Sequence, residues 1–171
     1  FIYNGDEIGM VDLKLSKLSE VRDSASLNQY HLLTEKLDIS PKDALEKILL
    51  TTRDCCRSPH QWRDTAHAGF CPTEIVPWLP VNADYARGVN VAAQEDDPNS
   101  LLNFYRRLLH LRKTTSALVA GDYQALHAES ETYLAFLRHE VSSGQTCLIV
   151  LNFSDSSQTV IFDLGDKQLG L

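Results

Sequence analysis

The spacing of apolar residues changes near residue 116, and this change limits the folds open to the chain more than any other feature. Upstream of it, five large residues recur at the spacing of one helix face: Leu101, Phe104, Tyr105, Leu108 and Leu111. Downstream of it, apolar and polar residues alternate, which predicts strands over residues 123–127, 133–138, 146–153 and 159–162. The sequence therefore predicts a helical region followed by a small antiparallel β domain.

Two shorter helices and a long loop precede the long helix. Apolar spacing predicts a first helix over residues 24–36, and Ser40-Pro41 predicts the start of a second, which ends near Thr51. Residues 52–98 hold five of the six prolines and both tryptophans without sustained periodicity, which indicates a long structured loop. At the end of this loop, Asp97-Pro98 predicts the cap of the long helix.

The two ends of the sequence suggest that more chain surrounds it. Residues 1–3 are apolar and predict a buried strand that ends at the turn Asn4-Gly5. The order of strand, loop with helices, long helix and short strands is that of the last β-α unit of an α/β barrel joined to a β-sandwich. No leader pattern precedes Phe1 and no closing strand is evident in residues 165–171, so the sequence is expected to be an internal fragment of a longer protein.

Charge and hydropathy argue against two classes of partner. The chain has 16 Lys and Arg residues against 23 Asp and Glu residues, a net charge of −7. Its overall field therefore attracts neither a nucleic-acid backbone nor an anionic membrane surface. The longest apolar runs, such as residues 147–151, are far shorter than the roughly 20 residues that span a bilayer. We expect no nucleic-acid partner and no membrane segment.

The four cysteines do not follow the spacing of a small disulfide-linked domain, so a reducing compartment, the cytoplasm, is the expected location. Zinc binding is an alternative, because thiolate and imidazole ligands lie close together in the sequence at Cys55, Cys56, His60, His67 and Cys71. Adjacent cysteines, however, point to opposite sides of an extended chain, and no C-x-x-C pair is present. The favoured interpretation is that these are small loop side chains, with no metal site.

Five segments, taken in order, resemble motifs of one enzyme family. Residues 1–10 read FIYNGDEIGM, which is similar to the eighth-strand motif of the α-amylase superfamily of glycoside hydrolases. The later segments read RDCCRSPHQW at 53–62, AGF at 68–70, PWLPVN at 77–82 and SLLNFYRR at 100–107. They resemble the α-glucosidase and oligo-1,6-glucosidase branch of glycoside hydrolase family thirteen, whose usual strings are RDNxRTPMQW, AGF, PWLPVN and DSxLNFYR.

The resemblance covers nearly the whole chain and implies an α/β plus all-β fold. Residues 1–116 are expected to be the C-terminal part of a catalytic (β/α)8 TIM barrel, with its last strand, a long loop with helices and its last helix. Residues 117–171 are expected to be an incomplete antiparallel β-sandwich domain. Active sites of such barrels lie on the loops at the C-terminal ends of the strands, so residues 4–99 are expected to contribute to the site.

The reaction implied is hydrolysis of α-glucosidic bonds in short oligosaccharides of the isomaltose or maltose type, with retention of configuration and without a cofactor. Retention requires one carboxylate as nucleophile and a second as general acid and base, and a third assists in the family. All three belong to strands expected upstream of Phe1. No residue of this chain is therefore assigned a catalytic role, and the fragment alone is expected to be inactive.

The resemblance assigns substrate binding to Arg53. The first Arg of the RDN string resembles a guanidinium at the base of the glucose pocket, where it pairs with an acid from an early barrel loop and contacts sugar hydroxyls. A rigid fork of donors suits vicinal hydroxyl and carboxylate partners. The alternative is that Arg53 forms an ordinary salt bridge within the loop.

Four further residues are expected to support this loop rather than to bind sugar: Glu7, Asp54, Arg57 and Trp62. Glu7 is expected to be a buried acid at the end of the strand that needs partners. Trp62 is expected to hold the loop against the barrel, with stacking on a sugar ring as the alternative. Two departures from the family strings lie beside Arg53: Cys55-Cys56 stands where Asn and a small residue are usual, and His60 replaces Met. His60 is expected to pack against the loop, with a hydrogen-bond donor near the sugar as the alternative.

Two other functions stay open on the sequence alone. Glucosyl transfer or isomerisation differs from hydrolysis through loops that select the acceptor, and those loops lie outside these residues. A non-catalytic relative, such as the ectodomain of an amino-acid transporter heavy chain, has the fold without the active site. The sequence gives no indication of the oligomeric state.

Overall fold

The computed structural model describes residues 2–164, which form two compact units. The first ends at Tyr105 and the second begins at Arg106, so the division falls within one helix. The α-helices are α1 (Ser24–Glu35), α2 (Pro41–Leu49), α3 (Val91–Gln94), α4 (Leu101–Thr114) and α5 (Ser116–Ala120). The strands are β1 (Asp122–Leu126), β2 (Tyr133–Glu140) and β3 (Gln145–Asn152). Short 3-10 helices lie at Asp6–Ile8, Leu18–Glu20, Arg53–Cys56, Ala66–Gly69 and Ala83–Arg87.

Helices α1 and α2 pack against each other in the first unit. The Ser40 hydroxyl accepts a hydrogen bond from the Asp43 amide at 3.1 Å, and Pro41 occupies the first position of α2. Both features satisfy or remove donors that a helix start leaves unpaired. Ala44 and Ile48, one turn apart, are fully buried and hold α2 to the unit. The two predicted helices are confirmed to within two residues.

Helix α4 begins later than its predicted cap and exposes its apolar face. The prediction placed the cap at Asp97-Pro98, but the helix begins at Leu101, and the Ser100 hydroxyl accepts a hydrogen bond from the Asn103 amide at 3.2 Å. Five apolar side chains of α4 are at least 40% exposed: Leu101, Phe104, Leu108, Leu109 and Leu111.

None of the helices within residues 2–164 has both the length and the apolar content that a membrane span requires.

The second unit contains an antiparallel sheet in the order β1-β2-β3. Helix α5 packs against β2 and β3, and its Ala117 is fully buried, as are Ala135 and Leu137 of β2. Strand residues alternate between the two faces of a sheet, so the buried pair, two positions apart, lies on one face. The first three predicted strands are confirmed to within two residues.

The fourth predicted strand, over residues 159–162, does not form in the structure. A strand exists only where its backbone pairs with another, and alternation alone does not supply the partner. Phe162 instead places its ring 5.1 Å from that of His127 and 6.2 Å from that of Tyr133.

The segment before Gly5 is also not a strand where the structure describes it. The Tyr3 carbonyl accepts the Asp6 amide at 3.0 Å, and the Asp6 carboxylate accepts the Tyr3 amide at 2.8 Å. These two bonds close a turn on the backbone groups that a strand would use for pairing. The predicted strand over residues 1–3 is therefore wrong at Ile2 and Tyr3, while Phe1 lies outside the described residues.

Candidate functional site

A 3-10 helix, Arg53–Cys56, carries the candidate site. Thr52, which is buried, caps this turn through its hydroxyl, which accepts the Asp54 amide at 3.4 Å. The turn places two adjacent side chains in different environments: Asp54 is 1% exposed, and the Arg53 side chain is 57% exposed. Cys56 donates its thiol to the Arg53 carbonyl at 3.2 Å, which fixes the backbone at the other end of the turn.

Asp54 binds the backbone at the start of α1. Its Oδ2 accepts the amides of Arg22 and Asp23 at 2.6 and 2.7 Å. Burying a carboxylate is costly unless hydrogen bonds compensate for the lost water. The two amides supply that compensation at Oδ2, while the buried Oδ1 has no hydrogen-bond partner within residues 2–164. Asp54 thus joins the 3-10 turn to a segment more than 30 residues earlier.

Arg53 contacts the same segment through a side chain. Its Nη2 donates to Asp23 Oδ1 at 2.6 Å, and the Asp23 side chain is 5% exposed. The hydrogen bond from Arg53 lowers the pKa of Asp23 below its ordinary value, and a hydrogen bond from Ser26 acts in the same direction. The same contact raises the pKa of Arg53. Within residues 2–164, the other guanidinium donors of Arg53 have no acceptor, so most of the fork faces solvent.

Glu7 and His60 form a second polar contact. His60 Nε2 lies 3.0 Å from Glu7 Oε1, and Glu7 Oε2 accepts the Gly5 amide at 2.9 Å. Burial raises the pKa of Glu7, but the hydrogen bonds from His60 and the backbone outweigh it, so the pKa is lowered overall. His60 is buried, and its ring centroid lies 4.6 Å from that of Trp62.

This contact refines two expectations from the sequence. Glu7 is half-buried in the 3-10 helix Asp6–Ile8 rather than at the end of a strand, because the turn at Tyr3 replaces the strand. His60 packs as expected, and it also forms a hydrogen bond that the thioether of a methionine, which has no N–H, cannot donate.

Gln61 is a central residue of the loop that sequence reasoning did not select. It is fully buried, and its amide donates to Asp84 Oδ1 at 3.0 Å and to the Val89 carbonyl at 2.5 Å. The backbone carbonyl of Gln61 accepts the Val91 amide at 3.0 Å, at the start of α3. The available signal was its place in the RDCCRSPHQW segment, between His60 and Trp62.

Trp62 and Arg57 also contribute to the loop through their backbones. The Trp62 amide donates to the Ala68 carbonyl at 2.9 Å, while the Trp62 side chain is 47% exposed. The Arg57 amide donates to the Asp54 carbonyl at 3.1 Å, and the Arg57 side chain is exposed. The structure thus brings Arg53, Asp54 and the Arg57 backbone into one turn, whereas Glu7 belongs to the separate contact with His60.

Two cavities of the first unit are lined by residues other than Arg53. A cavity of about 70 Å³ is lined by Cys55, Cys56 and Met10, among others. A larger cleft of about 520 Å³ is lined by Trp78, Arg22 and neighbouring residues. Within residues 2–164, no three His, Cys, Asp or Glu side chains come together as metal ligands, so the alternative zinc site is not formed.

Known proteins resemble the chain in both sequence and structure. Residues 1–121 match the family model described as the α-amylase catalytic domain. The oligo-1,6-glucosidase of Parageobacillus thermoglucosidasius is 38% identical over 167 residues, which are 97% of this chain and 28% of that protein. The trehalose-6-phosphate hydrolase of Bacillus subtilis is 35% identical over 153 residues, which are 90% of this chain and 26% of that protein.

Solved structures give the same family. The trehalulose synthase of Pseudomonas mesoacidophila MX-45 superimposes with a TM-score of 0.80 at 35% identity, over 90% of this chain and 27% of that one. A variant of that synthase has been solved with the substrate sucrose. The chain spans about a quarter of the length of these relatives. It belongs to the α-amylase family, in which residues 1–121 match the catalytic domain.

Proposed function

We propose that these residues are part of a retaining α-glucosidase that hydrolyses α-glucosidic bonds in short oligosaccharides of the isomaltose or maltose type. The proposal assigns residues 1–116 to the C-terminal part of the (β/α)8 barrel and residues 117–171 to an incomplete β-sandwich. The nucleophile, the acid/base and the third carboxylate come from other parts of the complete protein. Curated relatives named oligo-1,6-glucosidase and α-glucosidase support this substrate class.

The observation that carries the proposal is the environment of the Arg53 side chain. Its guanidinium is bound at one corner to a buried carboxylate at 2.6 Å and is otherwise exposed. A planar cation with free donors suits the vicinal hydroxyls of glucose, and a fixed one loses less entropy on binding. We assign it to the glucose pocket, where Asp23 pairs with it in addition to the acid from an early barrel loop that the resemblance implies.

Four residues support the pocket without contacting sugar in this proposal. Asp54 and the Arg57 backbone hold the turn that carries Arg53, and Glu7 and Trp62 hold His60. No metal or cofactor is assigned. Four free cysteines suit a reducing compartment, so we assign the complete protein to the cytoplasm.

Sucrose isomerisation is the second candidate, because the trehalulose synthase and an isomaltulose synthase share this part of the fold with TM-scores of 0.80 and 0.78. In that reaction glucose is transferred to the released fructose instead of to water. The acceptor therefore separates the two candidates, while the pocket around Arg53 serves both.

The test is to incubate the complete protein with isomaltose, maltose and sucrose and to identify the products by NMR. The proposal expects release of α-glucose from isomaltose or maltose as the first anomer. Trehalulose or isomaltulose from sucrose, with no hydrolysis of the other sugars, would replace hydrolysis with isomerisation. No turnover of any α-glucoside would contradict the enzyme assignment altogether.

A further inference from the structure

We propose that Asp23, fixed by Ser26, is a positioning residue that sets the direction of the Arg53 guanidinium and thereby the affinity for sugar. The inference rests on the proposed role of Arg53 and extends it to two residues of α1 and its N-terminus. Neither residue belongs to the segments that resemble family motifs.

Both oxygens of the Asp23 carboxylate are occupied. Oδ1 accepts Arg53 Nη2 at 2.6 Å, and Oδ2 accepts the Ser26 hydroxyl at 2.9 Å. A carboxylate held at both oxygens cannot rotate about its terminal bond without breaking a hydrogen bond. Ser26 is itself 4% exposed, so its hydroxyl cannot exchange this bond freely for one with water.

The backbone of Asp23 is fixed as well. Its amide donates to Asp54 Oδ2 at 2.7 Å. Arg53 and Asp54 are adjacent in the chain, so one binds the side chain and the other the backbone of the same residue. This closed arrangement anchors one donor of the guanidinium, while the Arg53 side chain stays 57% exposed.

The exposed fractions of Asp23 and Arg53 show which of the two side chains can contact a ligand. Asp23 is 5% exposed and Arg53 is 57% exposed, so only the arginine is available to a sugar. An unanchored arginine samples many rotamers, and binding must then order it at an entropic cost. Anchoring at Asp23 removes that cost before the sugar arrives, which is the physical content of preorganisation.

The test is a double-mutant cycle on the complete protein, with Asp23→Asn and Arg53→Gln alone and together, measured as KM and kcat on maltose. Because the contact acts on binding, Asp23→Asn is expected to raise KM by about tenfold, the effect of one charge-assisted hydrogen bond, with kcat changed less than about twofold. In the Arg53→Gln background, Asp23→Asn is expected to change KM no further.

Two further variants separate positioning from general stability. Ser26→Ala is expected to raise KM by about threefold. Ser26→Thr, which keeps the hydroxyl, is expected to leave KM at the value of the unchanged protein. The matched control is Glu35→Gln, which removes an exposed carboxylate on the same helix, 3.2 Å from His31. This control is expected to leave KM unchanged.

The outcomes are distinct. An Arg53→Gln variant with raised KM beside an Asp23→Asn variant with normal KM would overturn the inference and leave the role of Arg53 standing. Equal effects of Asp23→Asn in both backgrounds, together with a lowered melting temperature, would show a structural role and also overturn it. Normal KM in Arg53→Gln itself would contradict the proposed pocket and, with it, the inference.

Discussion

Glu7 and His60 lie 53 residues apart in sequence, yet their side chains meet at 3.0 Å. The sequence identifies both as unusual, one as an acid next to a predicted strand and the other as a departure from a family string. Their contact cannot be read from either feature, because it depends on how the loop returns to the start of the chain. The same holds for Asp23, which is 30 residues from Arg53 and lies outside every motif.

Replacing Glu7 with Gln is expected to lower the free energy of unfolding by about 1 kcal/mol at pH 7, because solvent screening reduces the roughly 1.5–3 kcal/mol that a hydrogen bond to a charged group contributes. The pKa of Glu7 is lowered in the folded state from 4.5. Its contribution is therefore complete above the unfolded pKa and is lost as the pH falls through the folded value. Denaturant unfolding of both proteins between pH 3 and pH 7 measures the difference.

The control for this change is Glu35→Gln, since Glu35 also faces a histidine, at 3.2 Å, but with both side chains exposed. Exposed ion pairs contribute roughly 0–1 kcal/mol to the free energy of unfolding, so Glu35→Gln is expected to lower this free energy by an amount near the lower limit of that range. A stability difference for Glu7→Gln that grows as the pH falls would contradict the direction of its pKa change.

At the scale of elements, local patterns give the helices and strands that depend on local contacts. Ser40-Pro41 identifies the start of α2 because capping involves neighbours, and alternation identifies β1 to β3 because each pairs with the next strand along the chain. Residues 159–162 have the same alternation without a pairing partner. Ser100 rather than the predicted Asp97-Pro98 caps α4, because its hydroxyl accepts the Asn103 amide at 3.2 Å.

Gly121, between α5 and β1, tests the close approach of these elements. A Cβ there would lie 2.5 Å from the Ala117 carbonyl oxygen and 2.9 Å from the His139 carbonyl carbon. Backbone atoms cannot move aside cheaply, so Gly121→Ala is expected to lower the free energy of unfolding of the β domain by about 2 kcal/mol.

Gly144→Ala provides the matched comparison. Its φ is +70°, but no atom lies within 4 Å of the added Cβ, so only backbone strain of about 1 kcal/mol is expected. Denaturant unfolding followed by a β-domain probe compares the two variants. A smaller loss at Gly121 than at Gly144 would contradict the packing of α5 against the sheet.

At the scale of the molecule, the exposed apolar face of α4 indicates that these residues need further protein packed around them. Its five large apolar side chains are between 40% and 52% exposed, an arrangement that marks an interaction surface or an aggregation hazard. The relatives are about four times longer than the matched region. The fold class can be predicted from sequence because the motifs are local in the chain. The partners of α4 cannot be predicted in this way.

Expressed alone, residues 1–171 are expected to aggregate or to bind a hydrophobic dye, and to show no hydrolysis of an aryl α-glucoside. The reason is the uncovered α4 face together with the absence of any catalytic assignment within the described residues. Light scattering and dye fluorescence, beside the same assay on the complete protein, measure this. Cooperative two-state unfolding with hydrolytic activity would contradict the expectation.

The measurement that tests the central claim most directly is kcat/KM of the Arg53→Ala variant of the complete protein on maltose or isomaltose, compared with the unchanged protein. The account predicts a fall of roughly 100-fold, because a charged donor to the sugar is lost and Asp23 is left buried without its partner. An unchanged kcat/KM would show that Arg53 is only a salt bridge of the loop and would contradict the glucose pocket assigned to it.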